Sequence, residues 1–245
     1  MKISGNTILI TGGTSGIGLA FAEELMKEGN TVIICGRRTD RLDELKSKHP
    51  GMVTRECDIA DEKQREELIS WALAKYPDLN VLMNNAGMQL ATDLTKPVDL
   101  EKVRKEMETN FIAPVHLSSL FAWQVTNKNN AAIINISSGL AFVPIAFMPV
   151  YCSTKAALHS FCLSLRHQLK SLGIQVIEIA PPSVDTELGH ERRADKTQTH
   201  GGIPIAEFLS EAMEGLKNDV PEIVVGHSKN LRAKGEELFH SMNQH

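Results

Sequence analysis

The sequence predicts an α/β fold in which a doubly wound parallel sheet has helices on both faces. Short β-branched runs alternate with longer helical patterns, the runs lack the polar alternation of half-exposed strands, and a glycine-rich turn joins the first run to the first helical pattern. The β-branched runs span residues 7–11, 31–35, 81–84, 131–137, 176–180 and 222–226. We therefore expect a three-layer α/β/α arrangement, with residues 1–245 forming one domain.

Helix signals lie between the predicted strands. The first helix is predicted over residues 17–29, where apolar side chains recur at helical spacing and Gly29 is a plausible stop. A later helix is predicted over residues 62–76, because Asp61 is a favourable N-cap residue and Pro77 follows its end. The alternation of strand and helix supports the parallel sheet.

One long stretch, residues 183–203, is polar and irregular before a helical pattern resumes at Ala206. A loop of that length in a compact domain is usually functional or mobile. We expect the segment of about residues 187–217 to close a substrate pocket. Its basic side chains would suit an anionic substrate, whereas a solvated loop of mixed charge is the alternative. These side chains are Arg192, Arg193 and Lys196.

Composition excludes several classes of function. The formal net charge of the 245 residues is -4, so no general attraction to nucleic acid is expected. The cysteines form no C-x-x-C pair, the nine histidines form no H-E-x-x-H array, and no metal is predicted. No apolar run is long enough to span a bilayer, and the N-terminus runs into the glycine turn rather than a cleavable signal. These features predict a cytoplasmic protein without a membrane span.

The segment TGGTSGIG, residues 11–18, connects the first strand to the first helix. Its glycines at 12, 16 and 18 permit a tight turn and let a pyrophosphate approach the free N–H groups of the helix. The alternative interpretation is a turn that binds nothing. We favour a phosphate-binding loop because the segment lies between a strand and a helix.

The spacing T-G-x-x-x-G-x-G resembles that of the short-chain dehydrogenase/reductase family. Further family motifs follow in order: N-N-A-G at residues 84–87, Asn110 within ETNFIAPV, and Ser138 within NISSG. Tyr151 and Lys155 then complete Y-x-x-x-K at the interval from the serine that is usual in the family. So many ordered matches are specific.

The last match is APPSVDT at residues 180–186, which resembles the family's Pro-Gly-x-Val-x-Thr. It has Pro182 where glycine is usual, a departure that concerns the nicotinamide site. The resemblance covers residues 7–186 and implies a Rossmann-type sheet of about seven strands. The family's helices around Asn110 and Tyr151 commonly pack against another subunit, so the resemblance also implies a homodimer or homotetramer.

The spacing of Tyr151 and Lys155 has a chemical interpretation as well. A phenol is a poor acid at neutral pH, but a nearby ammonium favours the phenolate. Tyr151 is therefore the predicted acid-base group, and Ser138 is predicted to hydrogen-bond the reacting oxygen. Family resemblance implies that Lys155 holds the nicotinamide ribose and that Asn110 positions a water in a proton relay. Alternatively, Ser138 only ends a strand and Asn110 only satisfies a buried backbone group.

Cofactor choice is predicted at the end of the second strand. An NAD-preferring enzyme usually has an acidic residue there, whereas this chain has Gly36 followed by Arg37 and Arg38. Both guanidinium groups could pair with the 2′-phosphate of NADP, although solvated arginines are the alternative. The resemblance implies the following cofactor-binding residues: Gly12, Thr14, Ser15, Gly16, Ile17, Gly18, Arg37, Arg38, Asp58, Ile59, Asn85, Ala86, Gly87, Tyr151, Lys155, Pro181, Val184 and Thr186.

Together these features predict an NADP(H)-dependent oxidoreductase acting on a small-molecule carbonyl or alcohol substrate, with Asn110, Ser138, Tyr151 and Lys155 as its catalytic residues. The alternative is an NADP-binding regulatory scaffold that senses redox state without turnover, which the intact Ser138, Tyr151 and Lys155 disfavour. A sugar epimerase or dehydratase is disfavoured by the glycine spacing and the short C-terminal part. The sequence does not identify the substrate.

Overall fold

A parallel seven-stranded sheet forms the centre of the molecule in the computed structural model, which describes residues 1–126, 128–189 and 201–244. Its strand order is β3-β2-β1-β4-β5-β6-β7. The strands are β1 (Thr7–Thr11), β2 (Thr31–Gly36), β3 (Val53–Glu56), β4 (Leu79–Asn84), β5 (Ala132–Ile136), β6 (Gln175–Ala180) and β7 (Glu222–Val224). This order is that of a doubly wound sheet, as the sequence predicts.

Helices cover both faces of this sheet. They are α1 (Gly16–Lys27), α2 (Thr39–Lys48), α3 (Glu62–Lys75), α4 (Leu100–Met107), α5 (Ala113–Val125), α6 (Pro149–Leu169), α7 (Ile205–Lys217), α8 (Ser228–Lys234) and α9 (Phe239–Met242). A π-helical turn, Glu108–Ile112, joins α4 to α5. Asp61 caps α3 by accepting a hydrogen bond from the backbone of Gln64 at 3.0 Å, which confirms the predicted start of that helix.

Two apolar cores fill the layers on either side of the sheet. Ile8 and Ile10 of β1 pack in the same cluster as Phe21 of α1. The intervening Leu9 belongs to the other cluster, which includes Leu68 of α3. Successive residues of a strand point to opposite faces, so a strand buried on both faces must be apolar throughout. This explains the continuous β-branched runs in the sequence.

Within the predicted pocket-closing segment of about residues 187–217, the helical pattern that resumes at Ala206 corresponds to helix α7. The second half of that segment is helix α7, whose Phe208 and Ala212 are buried in the core and not part of a loop. Phe208 packs edge-on against Phe21 of α1, with ring centroids 6.0 Å apart. The apolar residues of α7 recur at helical spacing, which fixes the helix against α1. That residues 187–217 close a substrate pocket stays a prediction.

Candidate active site

The carboxyl ends of the central strands open into one cleft of about 1080 Å³. Successive strands are added on one side of β1 up to β3 and on its other side from β4 onward, and ligands of such sheets bind at that switch point. The predicted residues that line the cleft are Gly12, Thr14, Ser15, Gly16, Ile17, Arg37, Arg38, Asp58, Ile59, Asn85, Ala86, Gly87, Ser138, Tyr151, Lys155, Pro181, Val184 and Thr186. Gly18 and Asn110 are the predicted residues that do not line it.

The glycine loop has backbone geometry that side chains would not tolerate. Gly12 has φ +66°, and a Cβ atom there would lie 2.7 Å from Cα of Ala86. Gly18 lies under the loop, where a Cβ atom would lie 2.3 Å from Nδ2 of Asn85. Its role in this structure is to let the loop pack against the segment that follows β4. The sequence motif is therefore explained at these two positions by close backbone approach.

The N-terminus of α1 points into the cleft beside this loop. Ser15 is the N-cap residue, and its side chain makes no capping hydrogen bond. The first N–H groups of a helix have no partner within the helix and carry partial positive charge. The uncapped end of α1 thus offers donors to a phosphate, and these residues fit a dinucleotide pyrophosphate.

The segment after β4 is bonded directly to the glycine loop. Oγ1 of Thr11 accepts hydrogen bonds from the backbone N–H groups of Asn85 at 3.0 Å and Ala86 at 3.1 Å. Nδ2 of Asn85 donates to the carbonyl of Thr11 at 2.9 Å. Asn85 and Ala86 of the N-N-A-G motif thus hold the glycine loop in place, and both line the cleft.

Lys155 lies one helical turn after Tyr151 on α6, and both side chains are buried. Its ammonium donates to the carbonyl of Ile136 at 2.8 Å and lies 5.7 Å from the centroid of the Tyr151 ring. Burial lowers the pKa of Lys155 to about 8, while the negative charge of Glu178 acts in the opposite direction. A buried cation is thus fixed beside the phenol ring.

Ser138 follows β5 and caps the short 3-10 turn Gly139–Ala141. Its Oγ accepts a hydrogen bond from the N–H of Leu140 at 3.1 Å. This bond uses the oxygen as an acceptor, so the hydroxyl proton is still available for donation to a substrate oxygen. Because Ser138 and Tyr151 line the same cleft, both hydroxyl groups can serve one reacting oxygen.

Asn110 lies in the π-helical turn and binds the backbone of the loop after β4. Its Oδ1 accepts from the N–H of Met88 at 2.9 Å, and its Nδ2 donates to the carbonyl of Met88 at 2.8 Å. Nδ2 also lies 3.2 Å from Oγ1 of Thr154. A Cβ atom at Gly87 would lie 3.4 Å from Oδ1 of Asn110 and 3.8 Å from Nζ of Lys155, so Gly87 separates the two side chains. The amide thus satisfies buried backbone groups, as the alternative interpretation predicts.

The arginines after β2 have different surroundings. Arg37 is exposed and lies 3.7 Å from the carboxylate of Asp58. Arg38 instead donates to the hydroxyl groups of Thr14 at 3.0 Å and Ser15 at 2.7 Å, so its guanidinium lies against the glycine loop. A Cβ atom at Gly36 would lie 2.9 Å from Cγ2 of Thr14, which leaves little room for an acidic side chain there.

Sequence reasoning missed two residues beside Arg38. Nη1 of Arg38 lies 2.8 Å from Oε2 of Glu187, and Nη2 of Arg41 lies 3.1 Å from Oε1 of the same carboxylate. Arg38 and Arg41 are three residues apart at the start of α2, a spacing that places side chains on one helix face. That spacing was a usable signal for Arg41, whereas Glu187 is distant in the chain.

Beyond Tyr151, the cleft is lined mainly by apolar side chains. Phe147 is 56% exposed and Leu188 is 40% exposed, although both border the cleft. The other apolar residues at this end are Met88, Leu90, Leu140, Ile145 and Met242. The basic side chains that the sequence offers for an anionic substrate, Arg192, Arg193 and Lys196, lie outside the described residues.

Two groups of potential metal ligands occur among the described residues. One comprises Glu62, Glu66 and His116, and the other comprises His159, Glu178 and Glu222. In the second group, Nδ1 of His159 lies 2.8 Å from Glu178 and Arg232 pairs with Glu222 at 2.6 Å. These contacts account for the second group without an ion, and the absence of a metal stays a prediction.

Comparison with known proteins agrees with this geometry. A family model described as short chain dehydrogenase matches residues 6–197. The chain belongs to the short-chain dehydrogenase family. Its oxidoreductase relatives include the Bacillus subtilis (strain 168) protein named uncharacterized oxidoreductase DltE, which is 49% identical over 99% of this chain and 98% of the relative. The sequence of residues 149–161 and 180–186 resembles this oxidoreductase more closely than the family as a whole. The match over the full chain confirms that resemblance.

Other members of the short-chain dehydrogenase family are more distant. The NADP-dependent 3-hydroxy acid dehydrogenase YdfG of Salmonella typhi is 30% identical over 84% of this chain and 86% of the relative. A short chain dehydrogenase from Burkholderia cenocepacia J2315, solved in complex with NADP, has a TM-score of 0.82 at 25% identity. That likeness covers 96% of this chain and 94% of the solved chain. The family and the fold are thus established.

Proposed function

We propose that this short-chain dehydrogenase is an NADP(H)-dependent oxidoreductase that transfers hydride between the nicotinamide and a carbonyl or alcohol substrate. The observation that carries the proposal is the buried Lys155 ammonium beside the Tyr151 ring in the same cleft as the glycine loop. A buried ammonium is costly to maintain unless its charge is used or compensated. A neighbouring phenol that exchanges a proton with substrate provides that use.

Three residues of the chain have separate roles in the proposed reaction. When bound, the nicotinamide supplies or accepts the hydride. In reduction, Tyr151 donates its phenolic proton to the substrate oxygen, and in oxidation it accepts that proton. Ser138 donates a hydrogen bond to the same oxygen and stabilises its developing negative charge. Lys155 favours the phenolate that remains on Tyr151.

The remaining predicted residues hold the cofactor or position the catalytic groups. The uncapped end of α1 and the loop glycines would bind the pyrophosphate, and Lys155 would bind the nicotinamide ribose. Asn110 fixes the backbone of Met88 and so positions the loop after β4. The family resemblance further implies that Asn110 positions a water in a proton relay, and its Oδ1 and Nζ of Lys155 both lie beside Gly87.

Tyr151→Phe tests the assignment, because it removes the proton donor and little binding surface. We expect turnover to be lost, a decrease of at least about a hundredfold in kcat, with the dissociation constant of NADPH nearly unchanged. Tyr76→Phe is the matched control, since Tyr76 is the other tyrosine of the chain and caps α3 outside the cleft. Near wild-type activity of the Tyr151 variant would contradict the proposed role.

A turnover screen also separates the enzyme from a regulatory scaffold. The panel should pair apolar ketones and aldehydes with carboxylated counterparts of the same size, because apolar side chains line the substrate end of the cleft. Cofactor binding without oxidation of NADPH by any member of a broad panel would favour the scaffold.

A further inference from the structure

Glu187 bridges two distant parts of the cofactor cleft. It lies after β6, and its carboxylate pairs with both Arg38 and Arg41 at the start of α2. Arg38 also binds the hydroxyl groups of Thr14 and Ser15, which orients its guanidinium toward the glycine loop. Arg38 and Glu187 line the cleft and Arg41 does not, so the two guanidinium groups form an anion site at the edge of the cleft, and an anion from this chain already fills it.

We propose that Glu187 and Arg41 determine cofactor specificity: the Glu187 carboxylate occupies the anion site of Arg38 and Arg41, and the 2′-phosphate of NADP(H) binds there by displacing it. This inference rests on the proposed function. It adds a competing anion to the site and a second arginine, Arg41, neither of which the sequence motifs contain.

The chemistry of the two anions explains the exchange. A carboxylate and a phosphate ester both accept hydrogen bonds from guanidinium groups in a planar fork. The phosphate has more acceptor oxygens and a charge of about -1.5 to -2 at neutral pH, so it binds the same arginines more strongly. Hydrogen bonding from Arg38 lowers the pKa of Glu187, so the competing group is ionised at neutral pH.

The competition affects only one form of the cofactor. NAD(H) carries a hydroxyl group in place of the 2′-phosphate and can leave the Glu187 pairs intact. NADP(H) must break both ion pairs before it gains the arginines. The three side chains are about 40% exposed, at 42% for Arg38, 41% for Arg41 and 38% for Glu187, so each pair is worth little in water. A modest but selective penalty on NADP(H) follows.

The test measures binding of adenosine 2′,5′-bisphosphate and AMP by calorimetry, since these probes differ only in the 2′-phosphate. We expect Glu187→Gln to tighten binding of the bisphosphate by about threefold to tenfold and to change that of AMP by less than about twofold. Glu28→Gln is the matched control, because Glu28 pairs with Lys217 at 2.8 Å and lies outside the cleft lining. It should alter neither affinity.

Arg41 is tested in the Glu187→Gln background, where its ion pair is already absent. Adding Arg41→Ala should weaken binding of the bisphosphate by about threefold or more and leave the affinity for AMP unchanged. Unchanged or weaker bisphosphate binding in Glu187→Gln would overturn the competition, as would equal tightening of both probes. An unchanged affinity on adding Arg41→Ala would overturn the role of Arg41.

This measurement is independent of turnover. If the Tyr151 assignment is wrong or no substrate is reduced, the two probes still report on the anion site. If the wild-type protein turns over substrate but neither variant changes the ratio of the two affinities, the oxidoreductase proposal stands and the roles of Glu187 and Arg41 fail.

Discussion

Lys155 combines near-complete burial with a positive charge, and its environment determines when that charge is present. Its side chain is 4% exposed and donates to the carbonyl of Ile136. The pKa is lowered from 10.5 to about 8, chiefly by burial. Folding therefore favours loss of the proton from Lys155, although the proposed chemistry uses the protonated form.

This shift predicts a pH dependence of stability. Below about pH 8 both folded and unfolded chains carry the proton on Lys155, and the cost of burying the charge is fully present. Between about pH 8 and 10.5 the unfolded chain keeps the proton while the folded chain loses it, so this group makes the free energy of unfolding rise with pH. The rise is about 3 kcal/mol across that window.

Denaturant unfolding of the wild type and Lys155→Met across pH 7 to 11 tests this. The variant lacks the stability that Lys155 gains as the pH rises. The free energy of unfolding of the variant minus that of wild type should therefore fall between about pH 8 and 10.5. Lys63→Met, at an exposed position, controls for the change from lysine to methionine. A constant difference between Lys155→Met and wild type would show that burial does not perturb this ammonium.

At the scale of the element, the start of α2 sets the surroundings of the arginines. Gly36 ends β2, and Arg38 is the N-cap residue of α2, so the backbone turns sharply between them. Arg37 points toward Asp58, whereas Arg38 points toward the glycine loop. Adjacent residues on this turn thus have unequal access to a 2′-phosphate.

The proposed preference for NADPH should depend more on Arg38 than on Arg37. We expect wild type to favour NADPH over NADH by at least about tenfold in kcat/KM, or about 1.4 kcal/mol, and Arg38→Ala to lose most of that preference. Arg37→Ala is the comparison and should lose less, because the guanidinium of Arg37 faces Asp58 and not the glycine loop. Equal use of both cofactors by wild type would show that the arginines do not recognise the phosphate.

Elements were predictable where the pattern is local. The runs that give β1, β2 and β5 are mainly apolar because their central residues are buried on both faces, and the structure confirms them. β3 has no such run: it is Val-Thr-Arg-Glu at the edge of the sheet, with partly exposed side chains, so only the family resemblance implied it. An edge strand is fixed by pairing with its neighbour and not by its own apolar content.

Residues of the candidate site were likewise predictable from sequence where they lie close together in the chain. The glycine loop and the pair Tyr151 and Lys155 are contiguous motifs, so sequence spacing was enough to find them. The contact of Glu187 with Arg41 joins residues 146 positions apart, and only the fold brings them together. Exposed side chains that pair across such a distance leave no periodic signal in the sequence.

At the scale of the whole molecule, the helices expected to form a subunit interface present apolar groups outward. The sequence offers Leu117, Phe121, Leu158, Leu165 and Leu169 on these helices, but the structure buries them in the monomer. Exposed instead are Ile112 at 41%, Trp123 at 80% and Leu163 at 47%. Large exposed apolar side chains on adjacent helices favour self-association.

We predict a homodimer or homotetramer held by α5 and α6, with Leu163 in the contact. Sedimentation velocity at micromolar concentration should show the oligomer for wild type and a smaller species for Leu163→Lys, which places a charge in the interface. Leu94→Lys is the matched control, because Leu94 is 67% exposed in the loop before α4. A monomeric wild type would overturn the prediction.

Location and domain organisation remain at the level of expectation. None of the helices in the described part of the chain is long and apolar enough to cross a membrane. Cytoplasmic location and a single domain over residues 1–245 stay predictions from the sequence.

The close packing of Gly12 against Ala86 also constrains how the protein folds. β1 pairs with β2 on one side and with β4 on the other, so the glycine loop at its end is shaped by a strand that begins about seventy residues later. Formation of β1, α1 and β2 alone cannot complete the glycine loop, because Oγ1 of Thr11 then still lacks the N–H donors of Asn85 and Ala86. Closing that long stretch of chain costs entropy before its contacts are gained, so we expect the phosphate-binding conformation to form late in folding and not as a local nucleus.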